Sequence, residues 1–215
     1  MTDSRESGSS GKQAPDVGPR AVVLDAKGLR AMAHPVRVQL VGLLRRHGPS
    51  TATRLAERLG VNSGTASYHL RQLGAAGFVE EDAERGNARE RWWRSVHQAT
   101  WFEEGDLAEQ EPEAALTYMQ SVATTYAQRA QRAINELATM PRSWRDTFDM
   151  SDWTLQLTAE EATSLDEELR AVINRYRRAV PEGAAGAPEG AERVSVIVHI
   201  LPDLGETEES GPESS

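Results

Sequence analysis

Cysteine is absent from this chain of 215 residues, and its absence excludes several kinds of chemistry at once. A chain without thiols cannot form disulfides, thiolate metal sites or a cysteine nucleophile. Lysine is nearly absent as well, because only Lys12 and Lys27 among the 24 basic residues are lysines. Arginine abundance is therefore a property of the whole chain, and the informative feature is where the arginines lie.

Long apolar runs are missing too, since no stretch approaches the roughly 20 residues that a membrane-spanning helix needs. The first residues lack the basic and then apolar layout of a signal peptide, which favours a soluble, cytoplasmic protein. Residues 1–21 and 205–215 are rich in Ser, Gly, Pro and Glu. Such segments cannot bury enough apolar surface to offset their ordering entropy, so we expect two disordered tails.

Positive charge is scarce overall, and the net charge of −9 is distributed unevenly. Residues 21–101 contain 12 Lys and Arg against 7 Asp and Glu, whereas residues 102–215 contain 9 against 23. Within residues 35–78 there are six arginines and one acid, Glu57. This asymmetry predicts a basic binding domain at residues 22–103 and an acidic module with another task at residues 104–204.

The apolar pattern of the basic part predicts helices followed by a β-hairpin. Helices are predicted at residues 24–32, 35–47, 51–59 and 62–76. Thr51 and Asn62 are the expected N-caps of the last two helices. The segments FVEED and ARERWWRS flank a turn-like stretch and predict a hairpin with Gly86 and Asn87 at or near its tip. This order is typical of a winged helix-turn-helix, whose second motif helix lies in the DNA major groove.

The helix predicted at residues 62–76 has an outward face without carboxylates. A rotation of 100° per residue from Ala66 places Leu70 and Leu73 inside. Arg71, on the opposite face, can reach a guanine edge or a phosphate, and small residues near the helix start allow close approach. The preceding helix and the wing contribute further predicted contacts. The full set of predicted DNA-binding residues is Arg54, Asn62, Ser63, Gly64, Thr65, Ser67, Tyr68, Arg71, Gln72, Arg85, Asn87, Arg89 and Arg91. The alternative is an ordinary solvated surface.

Catalysis by Ser67 and His69 is disfavoured, because residues two apart on a helix do not face each other. No G-x-S-x-G motif or nearby carboxylate supports it either. We therefore predict that the protein is not an enzyme. His69 is predicted to be a partly buried histidine that holds the helix by a side-chain hydrogen bond.

Residues 113–140 are predicted to form one long helix with a regular apolar seam. Apolar or small residues alternate by three and four positions, a repeat that lets one helix pack along another. They are Leu116, Met119, Ala123, Tyr126, Ala130, Ala133, Leu137 and Met140. Packing against its own domain is one interpretation. We favour pairing across a homodimer, because the small alanines let two copies approach closely.

The residues beyond this helix predict a small α+β module. Residues 153–157 and 194–201 alternate like strands, and Thr158 to Glu161 has the form of a capping box. The inner stripe of the helix that follows is predicted to be Ala162, Leu165, Leu169, Val172 and Tyr176. Residues 181–191 are predicted to be a flexible linker. Two strands make a marginal sheet, which must pack on the long helix or pair with a partner chain.

A candidate effector pocket is predicted where aromatic residues cluster near an element break. It consists of Arg142, Trp144, Phe148 and Trp153. The alternative is that these aromatic residues only form core.

Two linked segments resemble the winged-helix domain of ArsR-type transcriptional regulators. LRAMAHPVRVQLVGLL is similar to the opening of that domain, and TATRLAERLGVNSGTASYHLRQLGAAGFVEE is similar to its helix-turn-helix. The resemblance covers about residues 24–100 and implies a homodimeric, operator-binding repressor. It also implies base and phosphate contacts by Ser63, Thr65, Ser67, Tyr68 and Arg71. A two-fold symmetric dimer predicts a palindromic operator.

The metal-sensing members of that family carry features that this chain lacks. Their cysteines on the helix equivalent to residues 51–59 have no counterpart, and residues 106–140 contain no histidine. The five histidines show no spacing of metal ligands. We therefore expect no metal and no cofactor, and a place among larger, non-metal-sensing regulators with a C-terminal extension.

The sequence thus predicts a mainly α protein with a small β content (α+β) that binds double-stranded DNA and regulates transcription. The sequence allows a small-molecule effector but does not identify one. Two alternatives stay open. One is a winged helix used for protein–protein contact, and the other is a ligand-responsive activator.

Overall fold

The computed structural model describes residues 21–85, 90–102, 105–176 and 188–203, in two units. The first unit extends to Met140, and the second begins at Pro141. Most of both predicted tails, the wing tip and most of the predicted linker lie outside the described residues.

Four helices form the centre of the first unit, and the chain caps each of them. They are α1 (Ala26–Met32), α2 (Pro35–His47), α3 (Ala52–Leu59) and α4 (Ser63–Ala75). The side chains of Asp25, His34, Thr51 and Asn62 accept hydrogen bonds from the free backbone N–H groups of the first turns. The N-caps predicted at Thr51 and Asn62 are confirmed.

A three-stranded antiparallel sheet packs beside these helices. Its strands are β2 (Ser50–Thr51), β3 (Val79–Glu81) and β4 (Trp92–Ser95), in the order β2-β4-β3. The predicted hairpin corresponds to β3 and β4, which pair Val79 with Ser95. Strand β2 was not predicted, because two residues are too short to show an alternating pattern.

A second, parallel pair of strands corrects the predicted start of the domain. Strand β1 (Ala21–Val23) pairs with β5 (Ala99–Trp101), and Ala21 lies opposite Ala99. Ala21 was assigned to the disordered tail, yet it is part of this ladder. The pairing depends on residues 78 positions away, which no local pattern indicates.

The core of the first unit consists of apolar side chains from α1 to α4, the sheet and the long helix. The fully buried members include Leu29, Leu40, Leu55, Leu70 and Leu73. Phe78, Val79 and Trp93 close the sheet side of this core. Burial of such side chains contributes about 1.5–3 kcal/mol each, which holds α4 in place.

The acidic stretch contains a short helix, α5 (Asp106–Gln110), before the long helix α6 (Pro112–Glu136) and a 3-10 turn at Leu137–Thr139. Helix α6 packs on α1 and α2 through a face that buries Ala115, Tyr118 and Ser121. The predicted seam lies roughly 110° away around the helix. At its beginning Leu116 is 59% exposed and Met119 is 46% exposed. Packing against its own domain therefore uses another face along the first part of this helix, whereas the later seam residues are half-buried: Tyr126, Ala130, Ala133, Leu137 and Met140.

The second unit contains the helices α7 (Arg142–Arg145) and α8 (Ala159–Asn174). The predicted capping box is confirmed, because Thr158 and Glu161 exchange side-chain and backbone hydrogen bonds. The two predicted strands are wrong for the single chain, since residues 153–157 and 194–201 are not assigned to any strand. A period of two indicates a face to be buried, but a strand also needs a hydrogen-bonded neighbour.

The inner stripe predicted for α8 is not buried either. Ala162, Leu165 and Leu169 are half-buried, whereas Val172 and Tyr176 are exposed. Over the whole described chain, helix predominates and strand content is small, so the predicted mainly α class with small β content is confirmed.

Candidate nucleic-acid interface

Helices α3 and α4 form a rigid pair that presents one side of α4 outward. The tight turn between them requires Gly60, whose φ of 67° is a left-handed conformation that glycine adopts readily. Helix α4 then buries Ala66, His69, Leu70 and Leu73 against the core. The inward face predicted from the sequence is confirmed, with His69 more fully buried than expected.

The outward side of α4 carries polar groups and no carboxylate. Asn62 Oδ1 accepts from the Thr65 backbone N–H at 2.7 Å, which fixes the first turn. A Cβ added at Gly64 would lie 3.2 Å from that oxygen, so the missing side chain keeps the helix start narrow. Tyr68 is 53% exposed, and the Arg71 Nε donates to the Ser67 carbonyl oxygen at 3.3 Å. Arg71 therefore lies along its own helix with its guanidinium accessible.

The predicted interface residues in α4 that solvent reaches most are Asn62, Ser63, Gly64, Tyr68, Arg71 and Gln72. Thr65 and Ser67 are half-buried at the edges of this face. A carboxylate-free helix face of this kind suits approach to phosphate and base edges, because it adds no like-charge repulsion.

A cleft of about 320 Å³ joins α4 to the start of α3 and to the wing. Ser67 and Arg71 line it from α4, and Arg91 lines it from the wing. Sequence reasoning missed Thr53, an exposed residue of α3 that lines the same cleft. Thr53 lies two residues after the N-cap Thr51, and the first turn of α3 lines the same cleft as α4. Its position in that first turn could have indicated it as a candidate.

The wing arginines are paired with wing acids. Arg91 lies 3.1 Å from Glu81, Arg94 lies 2.8 Å from Glu80, and Arg85 lies 3.6 Å from Asp82. The side chains of the Arg91 and Arg94 pairs are about half exposed, so solvent screens these two pairs and they contribute little to stability. For Arg85 and Arg91, predicted as DNA contacts, these pairs lower the charge available to a phosphate. Asn87 and Arg89, also predicted as contacts, lie outside the described residues.

Arg54 and Trp92 connect α3 to the wing. The Arg54 guanidinium carbon lies 5.0 Å from the centre of the Trp92 ring, a cation–π geometry. Trp92 pairs with Thr51 in the sheet, so the cap of α3 and its stacking partner belong to one ladder. Trp92 is half-buried and Trp93 is buried, as expected for neighbours on opposite faces of a strand.

His69 packs against other rings, and it does not take part in a catalytic pair. Its ring centre lies 4.3 Å from that of His34 and 5.2 Å from that of Tyr68. Its Nδ1 is buried without a hydrogen-bond partner, so the predicted side-chain hydrogen bond is wrong at this atom. Burial, followed by the charge effects of His34 and Arg37, lowers the pKa of His69. His69 is therefore held neutral.

Arg45 is a half-buried cation whose environment shifts its pKa strongly. Burial lowers the pKa of Arg45 to about 10, and the same cause raises the pKa of nearby Tyr118 to about 12. Arg45 Nε donates to the His97 carbonyl oxygen at 2.7 Å, and its guanidinium also donates to Thr100 Oγ1 at 2.7 Å. These bonds tie α2 to the segment after the wing, which makes Arg45 a structural residue.

The candidate effector residues lie in the second unit. Trp144 and Phe148 are half-buried, Arg142 is exposed, and Trp153 is 76% exposed. The effector pocket stays a prediction. In the described ranges, no three His, Cys, Asp or Glu side chains come together as a metal site requires. Of the helices described here, none combines the length and apolar character needed to cross a bilayer.

Comparison with known proteins finds similarity in the part of the chain that contains this site. A helix-turn-helix domain family matches residues 32–82. The chain is similar to a possible transcriptional regulatory protein from Mycobacterium bovis, with 25% identity over 46% of this chain and 88% of that chain and a TM-score of 0.30. No curated protein matches the chain.

Two further solved structures are similar to the chain. One is the homodimeric winged helix-turn-helix DNA-binding domain of a possible ArsR-family regulator from Mycobacterium bovis, with 26% identity over 48% of this chain and 81% of that chain and a TM-score of 0.30. The other is a transcriptional regulator from Thermotoga maritima, with 13% identity over 66% of this chain and 78% of that chain and a TM-score of 0.28.

Proposed function

We propose that this chain is a DNA-binding transcriptional regulator with an ArsR-type winged helix-turn-helix domain, and that it acts as a homodimeric repressor at a palindromic operator. The helix-turn-helix domain supports regulation through DNA. The proposal adds repression, a palindromic operator, a homodimer, the individual DNA contacts and a cytoplasmic location.

The observation that carries the proposal is the outward face of α4. It presents Tyr68 and Arg71 without any carboxylate from residue 62 to residue 79, in a chain of net charge −9. A buried leucine face fixes the helix below them, so these side chains project from a rigid support. In helix-turn-helix proteins this helix lies in the major groove, where arginine recognises guanine and other side chains position the phosphates.

The proposed homodimer rests on the seam of α6. The beginning of the seam is exposed at Leu116, Met119 and Ala123, although the helix is already packed on its own domain through another face. An exposed apolar stripe on a packed helix favours contact with a second helix. Two copies related by a two-fold axis would then present two α4 helices to successive turns of one DNA face.

Binding to the DNA upstream of the protein's own gene tests the proposal. Fluorescence anisotropy at rising salt concentration should show a steep loss of affinity, because Arg contacts release counterions from phosphate. Removing Arg71 (Arg71→Ala) should weaken binding and, if it contacts a phosphate, lower the salt slope by roughly one. Arg175→Ala, which removes the same charge from the second unit, is the matched control and should leave binding unchanged.

The alternative of a protein–protein module predicts another result. No binding to this DNA at low salt, with Arg71→Ala and Arg175→Ala behaving alike, would refute the DNA proposal. A ligand-responsive activator would bind the same DNA, and a transcription assay on that promoter distinguishes it from a repressor by the sign of the response.

A further inference from the structure

The second unit has apolar faces on three segments but no buried side chain among residues 141–176 and 188–203. Trp153 is 76% exposed and Val194 is 67% exposed, while Tyr176 at the end of α8 is 72% exposed. A unit that has no buried core of its own cannot offset its conformational entropy. These faces therefore need a cover.

We propose that residues 194–201 of one copy pair with the same residues of a second copy, as the centre of an intermolecular β-sheet. This inference rests on the proposed homodimer. It names the segment through which the second unit of one copy binds the second unit of the other. Two identical strands about a two-fold axis perpendicular to them run antiparallel. With residues 153–157 of each copy, the dimer has four strand segments, above the three that an independent sheet with an apolar face needs.

The composition of the segment favours a second copy as its partner. Residues 194–202 contain no Asp, Glu, Lys or Arg, in a chain whose net charge of −9 otherwise repels copies of itself. An apolar strand edge without charged residues lacks the usual protection against pairing with another strand. Two such edges can meet without any opposed like charges.

The residues of the segment suit a central strand. Val194, Val196, Val198 and Ile200 share one face because successive residues of an extended chain alternate between sides. All four are β-branched, which favours a pleated, half-buried surface. Leu165 and Leu169 of α8, half-buried at helical spacing, offer a matching apolar stripe to cover such a sheet.

Many large apolar side chains of this unit are exposed. They are Met150, Trp153, Leu155, Leu157, Val172, Tyr176, Val194, Val196, Val198, Ile200 and Leu201. Five of these eleven side chains belong to residues 194–201, so the exposed apolar surface is concentrated in the proposed pairing segment. A concentration of exposed apolar side chains on a folded unit is typical of an interaction site.

Single-cysteine cross-linking of the full chain tests the inference. The chain has no cysteine, so replacing each residue from 194 to 200 in turn by cysteine gives seven variants that carry one thiol each. Oxidation should link two copies in high yield at one position, with the yield falling on both sides of it. In an antiparallel pair about a two-fold axis, only residues near the axis face their own copies within disulfide distance.

Glu167→Cys is the matched control, because Glu167 is exposed on the side of α8 opposite its apolar stripe. A dimer in sedimentation in which none of the seven strand variants cross-links better than this control would overturn the inference and leave the homodimer intact. Equal yields at all seven positions would also overturn it. A monomer in sedimentation would refute the homodimer and the strand pairing together, whereas DNA binding is measured separately and is not affected.

Discussion

The ring of His34, at the start of α2, packs against the ring of His69 in α4, with centres 4.3 Å apart and planes tilted by 44°. His34 Nδ1 accepts from the Val36 backbone N–H at 3.2 Å, so it caps α2 only while this nitrogen is unprotonated. Arg37 adds positive charge, and Tyr68 contacts His69 from its own helix. The proposed DNA-reading helix therefore rests on two neutral histidines.

Stability should fall as the pH drops below neutrality. Burial is the first cause that lowers the pKa of both His34 and His69 from the ordinary value of 6.5, followed by nearby positive charges. Well above pH 6.5 the histidines are neutral in both the folded and the unfolded protein. Between pH 6.5 and the lower pKa of the folded protein, the unfolded chain binds more protons than the folded one. The free energy of unfolding therefore decreases as the pH falls through this range. Urea unfolding between pH 8 and pH 5 measures this.

The double variant His34→Asn/His69→Gln should flatten that pH dependence, because asparagine retains the cap and neither side chain titrates. His97, whose pKa burial also lowers, accounts for the slope that remains. An unchanged slope in the double variant would show that the histidine pair is not responsible.

The stacking of Arg54 on Trp92 should contribute to DNA affinity. Trp92→Leu removes the aromatic face that orients Arg54, and a cation–π contact of about 0.5–1 kcal/mol corresponds to a loss of roughly two- to fivefold in affinity. Trp92→Phe keeps a ring and should bind almost normally. In an Arg54→Ala background, Trp92→Leu should have no further effect, and additive losses would contradict the coupling.

Two substitutions on opposite faces of α4 should separate stability from recognition. Leu70→Ala creates a cavity in the core and should lower the free energy of unfolding by about 2–5 kcal/mol. Tyr68→Ala removes an exposed side chain and should change stability little while weakening DNA binding. Thermal unfolding and anisotropy measured on the same two variants test this, and a Tyr68→Ala variant that binds normally would remove Tyr68 from the interface.

The seam of α6 should hold the dimer. Ala123→Glu places a charge on the exposed seam and should shift the protein toward monomer in sedimentation at micromolar concentration. Thr117→Glu puts the same charge on another exposed face of the helix and should leave the association unchanged. If both variants behave like the parent protein, the dimer contact does not use this seam.

The parts of the site that sequence predicted are those that depend on neighbours along the chain. The N-caps at Thr51 and Asn62 and the capping box at Thr158 and Glu161 follow from side chains that reach backbone three residues away. The inward and outward faces of α4 follow from a fixed rotation per residue. Local geometry therefore determined α1 to α4 to within two residues at each end, together with the carboxylate-free face, whereas α6 ends at Glu136 and not near Met140 as predicted.

Only the tertiary structure decided what depends on distant partners. Strand β2 and strand β1 exist because β4 and β5 pair with them, and Arg91 and Arg94 meet Glu81 and Glu80 across the hairpin. Arg54 meets Trp92 because Thr51 pairs with Trp92 in the same ladder. Conversely, residues 194–201 have the strand pattern without a strand in one chain, because a pattern specifies a face to be buried but does not supply the neighbour that buries it.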